Sequence, residues 1–398
     1  MHLENASNTP AYATAGTRWM GVGNSALNDS AEATRDAVSQ AVAGRQPKLV
    51  LLFCSSSYDI ATIARTAQAD IPDNTVIAGC STSGEICGRE ARQNSLVAIA
   101  LGGEGFTVRS NVGYHHAGPR LAGREAAQGL LAIESPYKVL MLLSDGLVGL
   151  RTELVRGAYG VAGAAVPLIG GCAADDMKLE KTFQIHGGEV LSEAVVGIAI
   201  GSNAPMAIGK GHGCQRISEP VVVTESDGTW IYRLNDEPAL DYFLNAVKAP
   251  AEAYHSHEAM PHAGLENMLG LLRSGGEEIR ATVGADYEKR SLLCGDVPKG
   301  TLVSIMHSSY DSILVGTHQA CQDARLALGD HEPLGVIAFD CAARFSLLGE
   351  TGRKSEMSII ADAFPQAVLG GWYTYGEFAR VKGSRGFHNA TLALLVLA

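Results

Sequence analysis

The chain alternates unbroken apolar runs with amphipathic stretches, and the same order of segments occurs three times. The run LVLLFC at 49–54 has the length and continuous apolar character of a strand buried on both faces. Residues 58–69 then predict a helix and 75–78 a short strand. The turn GCSTSGEI fills 79–86, and a further apolar strand, SLVAIAL, fills 95–101. The order returns with KVLMLL at 138–143, a helix after Gly149, VPLIG at 166–170, the turn GCAADD at 171–176 and AVVGIAI at 194–200. It returns again with GVIAFDC at 335–341, a helix near 354–364, QAVLG at 366–370, the turn GWYTYGEF at 371–378 and TLALLVL at 391–397. Ahead of the first unit, Ser30 is placed to cap an amphipathic helix over 30–43.

The first and third turns are identical at four of eight positions, Gly79, Thr82, Gly84 and Glu85 matching Gly371, Thr374, Gly376 and Glu377. Related units therefore place similar turns at the ends of similar strands. The predicted fold is α/β: two domains of mixed sheets covered by helices, built from repeated strand-helix-strand-turn-strand units. Between the second and third units the pattern changes. Residues 221–234 read as two strands around Ser226-Asp227-Gly228, a helix opens after Pro238, and 278–284, 290–294 and 301–307 read as meander strands. The expected division is a flexible terminus 1–16, an N-terminal ligand-binding domain 17–235 and a C-terminal domain 236–398.

Composition narrows the functional classes. A formal net charge of −11, with both signs mixed along the chain, disfavours nucleic acid or an anionic membrane as partner. No apolar run reaches the ~18 residues of a membrane span, and no export signal opens the chain, so a cytoplasmic location with reduced thiols is expected. The eight cysteines include no C-x-x-C pair. P-loop, strand-linked G-x-G-x-x-G, G-x-S-x-G and H-E-x-x-H patterns are absent, which removes the positive case for an enzyme.

The sequence resembles the FIST sensory family. The likeness rests on LVLLFCSSSYD, IAGCSTSGEI, LIGGCAADD, GHGC, VTESDG and DEPALDYF in the N-terminal half, and on FDCAAR, GGWYTYGEF and FHNATL in the C-terminal half. It implies a protein that senses a small ligand and feeds bacterial signalling, with a histidine kinase or a cyclic-dinucleotide enzyme as partner. The chain resembles the stand-alone type, some of whose members look like haem proteins sensing nitric oxide. It departs from common family wording at FDCAAR and at Cys214 of GHGC.

Gly-rich turns at the carboxyl ends of strands are where ligands bind in such sheets, and glycine lets the backbone come close to a ligand. The expected ligand contacts are Gly79, Cys80, Thr82, Gly84 and Glu85 in the first unit, and Gly171 and Asp175 in the second. In the third they are Cys341, Arg344, Trp372, Tyr373, Tyr375, Gly376 and Glu377. Glu85 and Glu377 are suited to a ligand amine, the alternative being that each fixes its own loop through backbone N–H groups. Alternation puts Trp372 on one side and Tyr373 and Tyr375 on the other, as a pocket for a planar or cationic ligand or as packing between domains. Arg344 is placed to lower the pKa of Cys341 or to hold an anion, and Cys341 or Cys80 is the nucleophile of the alternative enzyme reading. His255, His257 and His262 form a polar loop tract. His212 and His388 are the candidate axial ligands for non-covalent haem, since no C-x-x-C-H occurs.

Overall fold

The structure is a computed structural model that describes residues 18–255, 264–273, 276–381 and 385–398. The terminal segment 1–16, and His257 and His262 of the histidine tract, lie outside the described residues.

Each repeat builds a sheet in one strand order. In the first sheet that order is Trp19–Ser25, Leu96–Gly102, Pro47–Ser55, Val76–Thr82. In the second it is Phe106–Tyr114, Ala194–Ser202, Tyr137–Ser144, Leu168–Cys172, and in the third Met206–Gly211, Leu392–Leu397, Gly335–Cys341, Val368–Thr374. In all three the first two pairings are antiparallel and the third is parallel. The parallel pair forms because the connecting segment is a helix: Ile60–Asp70, Arg151–Ala162 and Ala342–Ala363 in turn. Gly79, Gly170 and Gly371 are equivalent. A Cβ on any of them would sit 2.0, 2.0 or 2.1 Å from the carbonyl oxygen of Leu52, Leu142 or Ala338. The repeated glycine therefore serves the neighbouring strand.

Each unit also sends a hairpin from its turn to a different sheet. The hairpin Glu85–Cys87/Glu90–Arg92 of the first unit extends the third sheet by pairing with Val368–Thr374. The hairpin Gln184–His186/Glu189–Leu191 of the second extends the first sheet, and Glu377–Arg380/Phe387–His388 of the third extends the second. The exchange closes a cycle. The inner faces of the sheets meet in one core that includes Leu51, Phe53, Met141, Leu143, Ile198, Phe339, Trp372 and Leu395. Helices cover the outer faces: Ala37, Ala41 and Ile63 pack on the first, Leu154 and Ala158 on the second, Ala320 and Met357 on the third. The cap of the helix Ser30–Val42 is Asp29, which accepts from Ala31 N and Glu32 N at 2.9 Å. Ser30 Oγ accepts instead from Asp59 N at 3.0 Å.

The middle of the chain is an insertion in the third unit. Met206–Gly211 belongs to the third sheet, and so does the covering helix Tyr310–Leu328, which the sequence reading missed. Between them lies a nine-stranded sheet. Its strands Val221–Ser226 and Gly228–Leu234 pair with Leu302–His307 and Ser291–Val297. The expected boundary at 235/236 thus runs through this sheet. Asn235 and Asp236, which look like the start of a new domain, are two left-handed residues (φ 46° and 63°) of a tight turn that folds Glu237–Pro238 back on Arg233–Leu234.

Candidate functional site

The two matched turns make the same internal contacts. Thr82 Oγ1 donates to Glu85 Oε1, and Ser95 donates to Glu85 Oε2 through Oγ (2.6 Å) and N (3.2 Å). In the third unit Thr374 Oγ1 donates to Glu377 Oε1 (2.6 Å), and Thr391 N donates to Glu377 Oε2 (3.2 Å). Both glutamates are buried, and burial pushes each carboxyl up to about 8 against those hydrogen bonds. Each glutamate therefore ties its turn to the residue just before the closing strand. In the second hairpin the equivalent place holds Gln184, and the residue before the closing strand, Glu193, donates its N–H to Asp145 Oδ2 instead (3.1 Å).

The structure brings the turns of Gly79 and Gly371 together, because the hairpin of one pairs with the strand of the other. Tyr373 N donates to Gly84 O (2.8 Å) and Ser83 N to Tyr373 O (3.0 Å). Several expected ligand contacts are enclosed by this arrangement. Trp372 is in the central core, stacked on Phe53 at 3.8 Å and edge-on to Phe339 at 4.7 Å. Tyr373 faces the other side of its strand, against Phe345 at 4.6 Å. Gly84 abuts Phe345 and Tyr373, Gly171 abuts Thr374 and Trp372, and Gly376 abuts Phe387 and Asn389.

Arg344 is not spent on the Cys341 thiol. Its Nε donates to Asp340 Oδ1 (2.7 Å), its Nη2 to Thr317 Oγ1 (2.9 Å) and to Glu356 Oε1, and its Nη1 to His212 O (3.3 Å). Arg344, Asp340 and Glu356 are all buried, so two carboxylates share one guanidinium. Burial and the Glu356 charge hold Asp340 well above the usual carboxylate range. A proton on Asp340, hydrogen-bonded to Glu356, satisfies the Oδ2 and Oε2 atoms that otherwise lack partners. Cys341 is buried, and burial and the Glu377 charge raise its thiol. Cys80 is raised in the same way by burial and by Cys54 and Cys172. Asp340 and Arg344 stand four apart at a helix start, a spacing that signals an ion pair. Thr317 and Glu356 carry no signal of their own.

Where the strand ends of the first unit emerge, a loop of the second unit lies over them in a costly conformation. Asp176, Met177 and Leu179 are left-handed, with φ of 56°, 65° and 58°. Such backbone costs about 1–3 kcal/mol for each residue and persists only where its surroundings enforce it. Asp175 supplies one restraint, accepting from Leu179 N (2.9 Å), Glu180 N (2.7 Å), Lys181 N (2.9 Å) and the Tyr375 hydroxyl. Asp176 supplies the other: its Oδ2 accepts from Ser55 Oγ (2.9 Å), Ser56 N (2.8 Å) and Ser56 Oγ (2.7 Å). Asp176 Oδ1 is enclosed without a partner, and Ser83 Oγ accepts from Met177 N (3.3 Å). All three units meet here, through Ser55 and Ser83, Asp175 and Asp176, and Tyr375. Of these residues, sequence reasoning missed Ser55, Ser56, Ser83 and Asp176. The quoted strings SSSYD and CAADD carry most of them.

A haem iron needs a ring nitrogen directed into a wide apolar slot. His388 is buried with Nε2 against Lys210 Nζ (3.1 Å) and Ala379 O (3.3 Å), while His212 Nδ1 accepts from Cys214 N (3.0 Å). Burial and the neighbouring Lys210 charge hold His388 well below its ordinary value. His388 Nε2 is thus taken up by its neighbours, while His212 is bonded through Nδ1. Among the described residues no group of three or more His, Cys, Asp or Glu side chains could hold a metal ion.

The FIST N domain matches residues 48–237 and the FIST C domain residues 239–380. The chain belongs to the FIST family. FIST domains are implicated in sensing small ligands and in signalling. An uncharacterised protein of Mycobacterium tuberculosis is 25% identical over 400 residues, covering 95% of this chain and 99% of its own. An uncharacterised protein of Mycobacterium bovis is 26% identical over 407 residues, covering 95% and 98%. One from Methanocaldococcus jannaschii is 23% identical over 348 residues, covering 80% and 67%. The two FIST segments meet at Pro238, two residues past the Asn235-Asp236 turn, although the nine-stranded sheet spans that point. No helix among the described residues is long and apolar enough to cross a membrane.

Proposed function

We propose that this FIST protein is a cytoplasmic sensor that takes a small amine-bearing ligand beneath the loop 173–179 and passes its occupancy to a signalling protein. The observation that carries the reading is the run of left-handed residues Asp176, Met177 and Leu179, held by carboxylates that bond to the first and third units. Strain of this kind concentrates at ligand clamps and switches. Asp176 Oδ1 is an acceptor with room in its hydrogen-bonding for a ligand N–H. A ligand that competes for Asp175 or Asp176 releases the loop, and with it the exposed side chains of Met177 and Leu179. These form the surface a partner reads, a histidine kinase or a cyclic-dinucleotide enzyme by the family likeness.

The protein acts by binding, without covalent chemistry. In support, Cys80 and Cys341 are buried thiols with raised pKa, and thiolate is the reactive form. The test is a thermal-shift screen of amino acids and small amines on the whole chain. A true ligand at hundredfold excess over its Kd stabilises the protein by about 2.7 kcal/mol. Asp176→Asn and Tyr375→Phe are expected to shrink that shift while each protein still melts cooperatively. An undiminished shift in both variants, or no stabilising compound in the class, rejects the loop as the site.

A further inference from the structure

A second site stands apart from the loop and shares no residue with it. The hairpin of the first unit and the long helix of the third line an open surface pocket of about 370 Å³. Its walls carry Arg89 and Arg92 from the hairpin and Arg353 and Lys354 from the helix, with Glu90 and Glu350 as the acidic members. Four cations face two carboxylates, in a chain whose net charge is −11. The pocket is therefore a local reversal of the protein's charge.

Its shape comes from a break in the helix Ala342–Ala363. Gly349 has φ 58° and ψ −172°, values no helical residue adopts. A Cβ there would meet nothing within 4 Å, so the backbone angle, and not space, calls for glycine. The helix restarts at Glu350, and its opening turn carries Arg353 and Lys354 beside the hairpin.

The cations differ in how they are held. Arg89 pairs with Asp362 (2.6 Å), Arg92 with Glu90, and Lys354 with Glu350 (2.7 Å), all on exposed side chains. Exposed pairs of this kind contribute little to stability and are screened by salt. Arg353 pairs with no carboxylate among the described residues. One of its N–H groups donates to Phe345 O (3.0 Å), and its guanidinium lies 3.9 Å over the Phe345 ring. That contact fixes the plane of the guanidinium and leaves other N–H donors for a ligand. An arginine anchored on a ring on one wall and an exposed, Glu90-paired one on the other suit a tetrahedral dianion, which each grips through a pair of N–H groups.

We infer that this pocket binds the phosphate group of a small phosphorylated molecule, with Arg353 as fixed anchor and Arg92 closing from the opposite wall. A volume of about 370 Å³ holds a phosphate with a sugar-sized body. The same chemistry is offered by free phosphate, and the experiment separates the two.

Titration calorimetry of the whole chain at low salt is run with glucose 6-phosphate and with inorganic phosphate. The expected result is saturable binding of one equivalent of glucose 6-phosphate, with inorganic phosphate at least about tenfold weaker, and a loss of about tenfold or more in Arg353→Gln and in Arg92→Gln. Equal affinity for the two probes, lost in the same variants, makes free phosphate the ligand and overturns the larger one. No saturable heat from either, or binding unchanged in Arg353→Gln, overturns the site. Asp176→Asn is expected to leave this binding unchanged, so failure here and failure of the loop reading are told apart.

Discussion

Replacing Arg344 with leucine is expected to destabilise the protein by about 3–5 kcal/mol, the range for removing one partner of a buried ion pair. The arginine is the only cation bonded to Asp340 and Glu356 among the described residues, and both carboxyls are shielded from water. Without it, Glu356 keeps the hydrogen bond from Thr317 Oγ1 (2.9 Å) and the one from the Asp340 proton, with no cation beside either carboxyl. The measurement is the urea midpoint at constant slope. Adding Asp340→Val and Glu356→Leu to Arg344→Leu is expected to recover most of the loss, since an apolar replacement leaves no charge unpaired. If the single variant unfolds within about 1 kcal/mol of the native protein, the ion pairs of Arg344 do not hold the fold together.

Glu85→Gln and Glu377→Gln are expected to stabilise the protein, and to do so more as pH rises. Each carboxyl titrates near 8 when folded, against an ordinary value of 4.5. Below pH 4.5 it is protonated in folded and unfolded chains alike and makes no difference. Between 4.5 and 8 the unfolded chain has released the proton and the folded chain keeps it, so stability falls by about 1.4 kcal/mol for each pH unit and each group. Above 8 both forms are ionised and the full penalty, about 4–5 kcal/mol for each group, remains. Glutamine removes this titration, and its carbonyl oxygen accepts from Ser95 or Thr391 as the carboxylate does while the threonine hydroxyl turns to accept from the amide N–H. Denaturation curves at pH 5 and pH 8.5 check the result. A native-minus-variant difference that is the same at both pH values refutes the protonated state of the buried glutamates.

The repeated units were legible because their strands are unbroken apolar runs and their helices are amphipathic, the two patterns that local sequence encodes most strongly. The exchange of hairpins was not. Glu90–Arg92 and Glu189–Leu191 are three-residue strands, and nothing in so short a segment names the sheet it joins. The matched Thr82/Glu85 and Thr374/Glu377 pairs were visible as a repeated motif, but spacing alone left open whether the carboxylates faced a ligand or their own backbone. Their bonds to Ser95 and Thr391 close that choice. For Trp372 the sequence leaves open a pocket wall or packing between domains, since an aromatic beside a glycine turn suits either. Its position in the strand pleat carries it into the shared core instead. Arg353 and Lys354 face Arg89 and Arg92 only through a pairing more than 250 residues apart in sequence, which no local pattern announces.

The cyclic hairpin exchange also sets the order in which the chain is able to fold as it leaves the ribosome. The first sheet is complete once residue 191 has emerged, because its added hairpin comes from the second unit. The hairpin at 85–92 has no strand to join until residue 374 is made, and the second sheet keeps an open edge until residue 388. Open strand edges pair with whatever strand they meet, other chains included. A fragment ending at residue 237, at the close of the FIST N match, would carry both an unseated hairpin and an unsealed edge. Such a fragment is built to aggregate or to seek its missing half, because each segment of the family match lends the other a strand.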